Sequence, residues 1–379
     1  MQRQLAFIDL AAQRRHLGTV VDEAIRRVLE HGTFVLGPEV AQLEATLAAF
    51  CGAKHCISCG NGTDALALVL MAKEVKAGDA VLCPAFTFAA TAEVVAWLGA
   101  TPVFVDVCED TFNIDPKSLR ASLAAARNRG LNPVGVIAVD LFGQPADYEP
   151  IEAIVAREGL WLLCDAAQSF GASYKGRQVG TIGHATATSF FPSKPLGCYG
   201  DGGAVFTDDA GLAGIIRSLR THGEGADKYH NVRVGMNSRL DTVQAAVLLE
   251  KLKIFPSEIV ARNRVAQRYN EQLRDLAVVP KILEGTTSVW AQYTLRLPVG
   301  DRDALQASMT EAGVPTAVYY PIPLHRQAAY RHHPVASDGL PVSDRLAAEV
   351  VSLPMHPYLT DVMQDQVTAA ARAALAACA

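Results

Sequence analysis

Charge is scarce in this chain and nearly balanced in sign. Among 379 residues there are 39 acidic and 34 basic side chains, 19% charged in all, with a formal net charge of −5. So small an imbalance gives no reason to expect nucleic acid or an anionic membrane as partner. The few basic pairs, such as Arg14-Arg15 and Arg26-Arg27, fall on what reads as a solvated helix face. Long apolar runs are missing as well. The stretch from Val94 to Val107 is broken by Gly99, Pro102 and Asp106, short of what a membrane span requires. Met1-Gln2-Arg3-Gln4-Leu5 lacks the apolar core of a signal peptide, so the expected location is the cytoplasm. Eight cysteines occur without a framework of spacings, and Cys56-Ile57-Ser58-Cys59 is a lone pair with His55 beside it. A zinc site would want a second pair, so the thiols read as small buried side chains in a reducing compartment and no metal is expected. Two nucleotide-binding signatures are also absent. No Gly-Lys-Ser/Thr follows a glycine-rich turn, and no G-x-G-x-x-G fingerprint opens a helix, which counts against a nicotinamide oxidoreductase.

What is present suits a two-domain α/β protein. Half of the residues are apolar, enough at this length for a substantial core. Leu17, Val20, Val21, Ala24, Ile25, Val28 and Leu29 repeat at helical spacing, as do Val40, Leu43, Leu47 and Phe50. Strand-like runs follow at Lys54–Ser58, Ala80–Cys83, Pro102–Asp106, Val134–Asp140, Leu160–Cys164, Ala187–Phe191 and Ala204–Thr207, mostly with helical stretches between. That alternation predicts a mainly parallel sheet covered on both faces. Beyond about Leu249 the pattern changes to a helix over Ser257–Leu273, a strand over Trp290–Leu297, a helix over Asp301–Ala312 and a segment at Ala317–Tyr320. The expected division is a large α/β domain over 1–252 and a smaller α+β domain over 253–379.

Three elements carry chemistry. Lys194 stands in Ser189-Phe190-Phe191-Pro192-Ser193-Lys194-Pro195-Leu196-Gly197, with Tyr199-Gly200-Asp201-Gly202-Gly203 just behind it. Partial burial would disfavour its ammonium and make the amine a nucleophile able to form a Schiff base; a surface lysine in a loop is the alternative. Asp165 ends the apolar run Gly159–Cys164, where open α/β sheets place their ligands. A carboxylate there can keep the ring nitrogen of pyridoxal phosphate protonated, or simply cap the next helix. Cys59-Gly60-Asn61-Gly62-Thr63-Asp64-Ala65-Leu66 leads from a strand into a helix, a turn whose glycines and free N–H groups suit a small phosphate monoester. Ser189 could add its hydroxyl to the same phosphate.

Together these residues resemble the DegT–StrS group of pyridoxal-phosphate-dependent nucleotide-sugar aminotransferases. The similarity runs nearly end to end. It takes in Phe7-Ile8-Asp9-Leu10, the stretch from Leu36-Gly37-Pro38 to Leu43-Glu44, Gly60 to Ala65, Pro84-Ala85-Phe86-Thr87-Phe88, Asp165 to Gln168, Ser189 to Lys194, and Gly235 to Ala246. The resemblance implies the aspartate-aminotransferase fold, with pyridoxal 5'-phosphate bound to Lys194 and its ring nitrogen paired with Asp165. Gln168 would lie beside the ring, and Phe88 would stack on its face, although ordinary core packing also suits Phe88. Gly62, Thr63, Asp64 (through backbone N–H) and Ser189 would hold the phosphate. Asn237 would reach the phosphate of a neighbouring subunit, so a homodimer with shared sites is implied.

Transamination from L-glutamate to a nucleotide-linked keto sugar is the implied reaction, with Lys194 moving the proton. Relatives acting as 3-dehydratases carry histidine in place of the lysine, which separates this chain from them. Asn237 to Asp241 and Pro321-Ile322-Pro323-Leu324-His325 resemble the branch aminating C3, especially members acting on UDP-2-acetamido-2-deoxy-3-oxo-glucuronate in surface-polysaccharide synthesis. Arg239 could grip a uronate carboxylate or form a structural ion pair, perhaps with Asp241. His325 could touch the sugar or cap its proline-flanked turn. Tyr319 and His16 are further candidates for lining the sugar site, and His222 resembles a family motif without an assignable role. A dTDP-3-keto-6-deoxyhexose or 4-keto-sugar aminotransferase, and a cofactor-binding regulator without turnover, are the competing readings.

Overall fold

The computed structural model describes residues 5–227, 229–297 and 302–378. Met1–Gln4, Asp301 and Ala379, which figure in the expectations above, lie outside them. Nine strands fall in the first 207 residues: β1 (His55–Cys59), β2 (Asp79–Pro84), β3 (Thr101–Val105), β4 (Asn132–Val139), β5 (Trp161–Asp165), a short hairpin of β6 (Ser173–Tyr174) and β7 (Arg177–Gln178), then β8 (Ala185–Ser189) and β9 (Gly203–Thr207). Seven of them form one sheet in the order β1-β9-β8-β5-β4-β2-β3. Only β9 runs against its neighbours. The connecting helices are α1 (Leu10–Leu17), α2 (Val20–His31), α3 (Pro38–Cys51), α4 (Gly62–Ala72), α5 (Ala90–Trp97), α6 (Pro116–Asn128), α7 (Tyr148–Glu158) and α8 (Ala210–Leu219).

Alternation along the strands assigns each side chain to a layer. Val81, Ile137 and Leu163 point to one face, where they pack with Leu66 and Leu70 of α4, Val94 of α5 and Ile216 of α8. Ala80, Leu82, Val136, Ala138 and Leu162 point to the other, against Leu119 and Leu123 of α6 and Ile151 and Val155 of α7. A slip of one residue would exchange the two sets, so register is strongly specified. The sheet is therefore the expected mainly parallel one, buried on both sides.

Helix α9 (Thr242–Leu273) crosses the expected 252/253 boundary without a break and carries Pro256 inside it. Its first half packs Leu248, Leu252 and Phe255 against Leu43 and Leu47 of α3 and Leu196 beside Lys194. Its second half packs Val265, Tyr269 and Leu273 into a separate cluster. That cluster holds the antiparallel pair β10 (Tyr293–Arg296) and β11 (Val350–Leu353), with α10 (Arg302–Glu311) and α12 (Asp361–Cys378). Between them, α11 (Pro341–Glu349) is held by Asp106, which accepts from the amides of Val342 and Ser343 at 2.9 and 2.7 Å.

Some expectations shift. The pattern over Leu17–Leu29 is split from α1 at Gly18, whose φ of +62 ends the first helix. The run at Ala187–Phe191 is a strand only to Ser189, because the chain then turns back on itself toward Lys194. The strand expected over Trp290–Leu297 shrinks to Tyr293–Arg296 because Trp290 takes a left-handed φ of +50. There it closes against Gly143, whose missing Cβ would meet the Trp290 nitrogen at 2.7 Å.

Candidate active site

Strands β5 and β8 are adjacent and parallel, with Asp165 opposite Ala187. Their carboxyl ends therefore open on the same edge of the sheet, and the lysine loop leaves from that edge. The loop is tightly closed. The Lys194 amide donates to the Phe191 carbonyl at 2.9 Å, and that of Cys198 returns to Phe190 at 2.8 Å. Gly197 is required on the way back, since a Cβ there would lie 2.6 Å from the carbonyl oxygens of both Phe191 and Pro192. Lys194 retains some exposed surface, yet burial holds its amine below the ordinary lysine value, opposed by the charge of Asp165. The charges of Lys194 and Asp165 thus act on each other, and burial sets this lysine apart from a solvated one.

Asp165 is 7% exposed. Its carboxylate accepts from the Ala167 amide at 3.1 Å and from the Thr91 hydroxyl at 3.3 Å. Burial raises its pKa, with those two donors and Lys194 pulling the other way. A buried carboxylate so placed gains from a cationic partner such as a protonated ring nitrogen. Gln168 is oriented from one side: its Oε1 accepts from the Phe142 amide at 2.7 Å, which leaves Nε2 as a donor 3.3 Å from the Tyr320 hydroxyl. Phe88 is 58% exposed, so it is not the core residue of the alternative reading, and its ring lies 6.4 Å from that of Tyr320.

The turn proposed for a phosphate lies between β1 and α4. Asn61 caps α4 by accepting from the Asp64 amide at 2.8 Å, so the Asp64 N–H is already engaged. The amides of Gly62 and Thr63 remain as first-turn donors without intrahelical partners. Gly62 lies against Ser189, and a Cβ on it would meet the serine Cβ at 2.6 Å. The start of α4 and the end of β8 are thereby pressed together into one cradle. The Asp64 carboxylate is also engaged, accepting from Ser238 at 2.7 Å.

Residues proposed for the sugar are more dispersed. Ser238 is buried and also accepts from the Gly60 amide at 2.9 Å. Its neighbours are less buried, Asn237 exposed and Arg239 half-buried, and Arg239 donates to the Asn237 amide oxygen at 2.6 Å. No ion pair joins Arg239 to Asp241 among the described residues. His325 sits with its Nε2 3.1 Å from Asp344, its side chain 8% exposed, and burial lowers its pKa. Tyr319 packs between Phe7 and Tyr320, with ring centroids 6.3 and 5.9 Å away. His16 is exposed at the end of α1, beside Tyr358. His222 takes a φ of +60 at the head of the 222–236 segment, and its carbonyl accepts from Asn231 at 3.0 Å. Cys56 and Cys59 face opposite sides of β1, in separate clusters, so they cannot act as a pair.

Thr91, Phe142 and Tyr320 were not legible as site residues. Each reaches Asp165 or Gln168 from a distant segment, and no local pattern marks it. A second buried carboxylate lies on the neighbouring strand end, the Asp140 amide donating to the Asp165 carbonyl at 3.0 Å. Asp140 follows β4, is fully buried, and accepts from Tyr148, Ser169 and the Ala146 amide at 2.5, 2.7 and 2.8 Å. Burial pushes its pKa up to about 7, with Asp165 adding to the rise.

A lysine amine and a buried carboxylate at adjoining strand ends, beside a helix-start phosphate cradle, define a pyridoxal-phosphate enzyme of the aspartate-aminotransferase fold. The chain belongs to the DegT/DnrJ/EryC1/StrS aminotransferase family, whose profile matches residues 17–372. It is 51% identical to the UDP-2-acetamido-2-deoxy-3-oxo-D-glucuronate aminotransferase of Pseudomonas aeruginosa, over 94% of this chain and 96% of that one. It is 43% identical to a pleiotropic regulatory protein of Geobacillus stearothermophilus, over 95% of each. Among solved structures, a DegT/DnrJ/EryC1/StrS aminotransferase from Brucella abortus superimposes with a TM-score of 0.96 at 51% identity, covering 97% of this chain and 99% of that one.

Proposed function

We propose that this aminotransferase moves an amino group from L-glutamate to the C3 carbonyl of a nucleotide-linked sugar, UDP-2-acetamido-2-deoxy-3-oxo-glucuronate, in surface-polysaccharide synthesis. The observation that carries the reaction class is Lys194, an amine with its pKa lowered by burial and set against the charge of Asp165. The site's residues fit pyridoxal 5'-phosphate: a cradle at Gly62, Thr63 and Ser189, a buried carboxylate at Asp165 whose pKa burial raises, and the exposed ring of Phe88. Bound there, the cofactor supplies a carbon that amines attack and a ring that withdraws electrons from it.

The chain's own groups do the rest. Lys194 Nζ would hold the cofactor and, as a free neutral amine, would serve as the base and then the acid that moves the donor's Cα proton. Asp165 would keep the ring nitrogen protonated, and Gln168 would lie beside the ring and its phenolic oxygen. Arg239 offers a fork to a uronate carboxylate. Asn237 is exposed and Arg239 half-buried, and a second copy of the chain is the surface they would complete. The exposed apolar residues Phe34, Val35, Leu36, Val232 and Val234 support the same homodimer.

The substrate reading follows the 51% relative's named substrate. A panel of UDP-3-keto-uronates and dTDP-3-keto-6-deoxy sugars with glutamate tests it. Repeated release of 2-oxoglutarate, beyond the one equivalent that glutamate alone yields, is expected only with the uronates; repeated turnover with the dTDP sugars alone would sink it. No repeated release with any sugar, from protein that keeps its cofactor absorbance, would favour a regulator. Lys194→Ala should lose both turnover and that absorbance, and an active variant with normal absorbance would refute the lysine's role.

A further inference from the structure

A second buried amine lies behind the lysine loop. Lys251 of α9 is 1% exposed, and its Nζ donates to the Gly197 carbonyl at 2.7 Å. The same ammonium sits 4.3 Å from the centroid of the Tyr199 ring. Two turns earlier on the same face of α9, Gln244 Oε1 accepts from the Tyr199 amide at 2.8 Å. One helix face therefore grips the returning strand of the loop at two points. Gly197 is also where that strand packs hardest on Phe191 and Pro192, so a shift there moves the turn bearing Lys194.

We propose that Lys251 is a positioning residue for Lys194, pinning the return of the loop so that the reactive amine stays at Asp165. Its α9 neighbours Leu248, Leu252 and Phe255 are apolar core, and packing alone would be served by another apolar side chain there. A buried ammonium is costly, and burial draws this one down to about 8. The groups that act on it are Glu258 from its own helix and Cys198 and Tyr199 from the loop. Behind these, Tyr358 and Gln13 hydrogen-bond Glu258, and Arg14 and Asp22 act on Tyr199. Keeping the charge against its burial cost makes sense if it holds the Gly197 carbonyl, which would otherwise be buried without that donor.

The proposal rests on Lys194 as the cofactor-holding amine, but its test reads the loop whatever Lys194 does. Hydrogen–deuterium exchange on the cofactor-loaded Lys251→Met protein should show residues 190–201 exchanging roughly tenfold faster or more, with β1–β5 unchanged. Turnover should fall while KM for the donor stays near the wild-type value. Unchanged exchange at 190–201, or an equal rise in every peptide, overturns the proposal. Should that variant not fold, Lys251→Gln decides: residues 190–201 should again exchange faster than the sheet, and unchanged exchange there overturns the proposal.

Discussion

At the residue scale the site depends on charges kept where water cannot reach them. Burial raises the pKa of Asp165 against the Ala167 amide, the Lys194 charge and the Thr91 hydroxyl, and a protonated ring nitrogen is the partner proposed for it. Replacing it by Asn removes the charge and keeps the shape. Turnover of Asp165→Asn should fall by about 10²-fold or more with the fold intact by circular dichroism. Near-normal turnover would mean that the carboxylate is only a cap. Asp140 gives a pH test. Its folded pKa of about 7 stands above the unfolded carboxylate value, so the native state binds the extra proton across that interval. The stability this adds is complete at acid pH and is lost as the pH rises to about 7. Asn at position 140 keeps the oxygen that Tyr148 and Ala146 use. Melting temperatures of Asp140→Asn from pH 4.5 to 8 should therefore be flatter than wild type; parallel curves would show that the carboxyl does not titrate there.

At the element scale, the cradle exists because the start of α4 touches the end of β8. Gly62 and Ser189 are 127 positions apart in sequence, yet a single Cβ would not fit between them. Gly62→Ala should cost about 1–3 kcal/mol through overpacking and push the first-turn amides away from the phosphate. Cofactor titration should show weaker binding than wild type; unchanged affinity would place the phosphate elsewhere. The same scale explains the mixed outcome for boundaries. Helical spacing after Pro256 was legible, but α9 begins well before it and runs on continuously because each half finds its own core. A proline tolerated in mid-helix is a tertiary outcome, and no local signal announces it. Trp290 shows the converse: its residues read as strand, and contact with Gly143 holds the chain in a left-handed turn instead.

For the whole molecule, the prediction concerns sharing. If Asn237 and Arg239 serve the neighbour's site, Lys194→Ala and the double variant Asn237→Ala/Arg239→Ala should each be inactive alone. Mixed and re-equilibrated, they should regain about a quarter of wild-type activity, because half the dimers are mixed and each has one complete site. No recovery despite subunit exchange would place both residues in their own chain's site.

The alternation of strands and helices could be read from the chain alone, as could the residue types that make Lys194, Asp165, Gly62 and Ser189 candidates for cofactor chemistry. Those are properties of short segments, in which side-chain period and residue type act locally. Tertiary structure alone decided which distant groups act on them. Thr91 meets Asp165 across 74 positions and Tyr320 meets Gln168 across 152. His325 was turned toward Asp344, and Lys251 was set behind the loop of Lys194. The physical reason is that burial and Coulomb energy depend on distance in space, which only the packed chain defines.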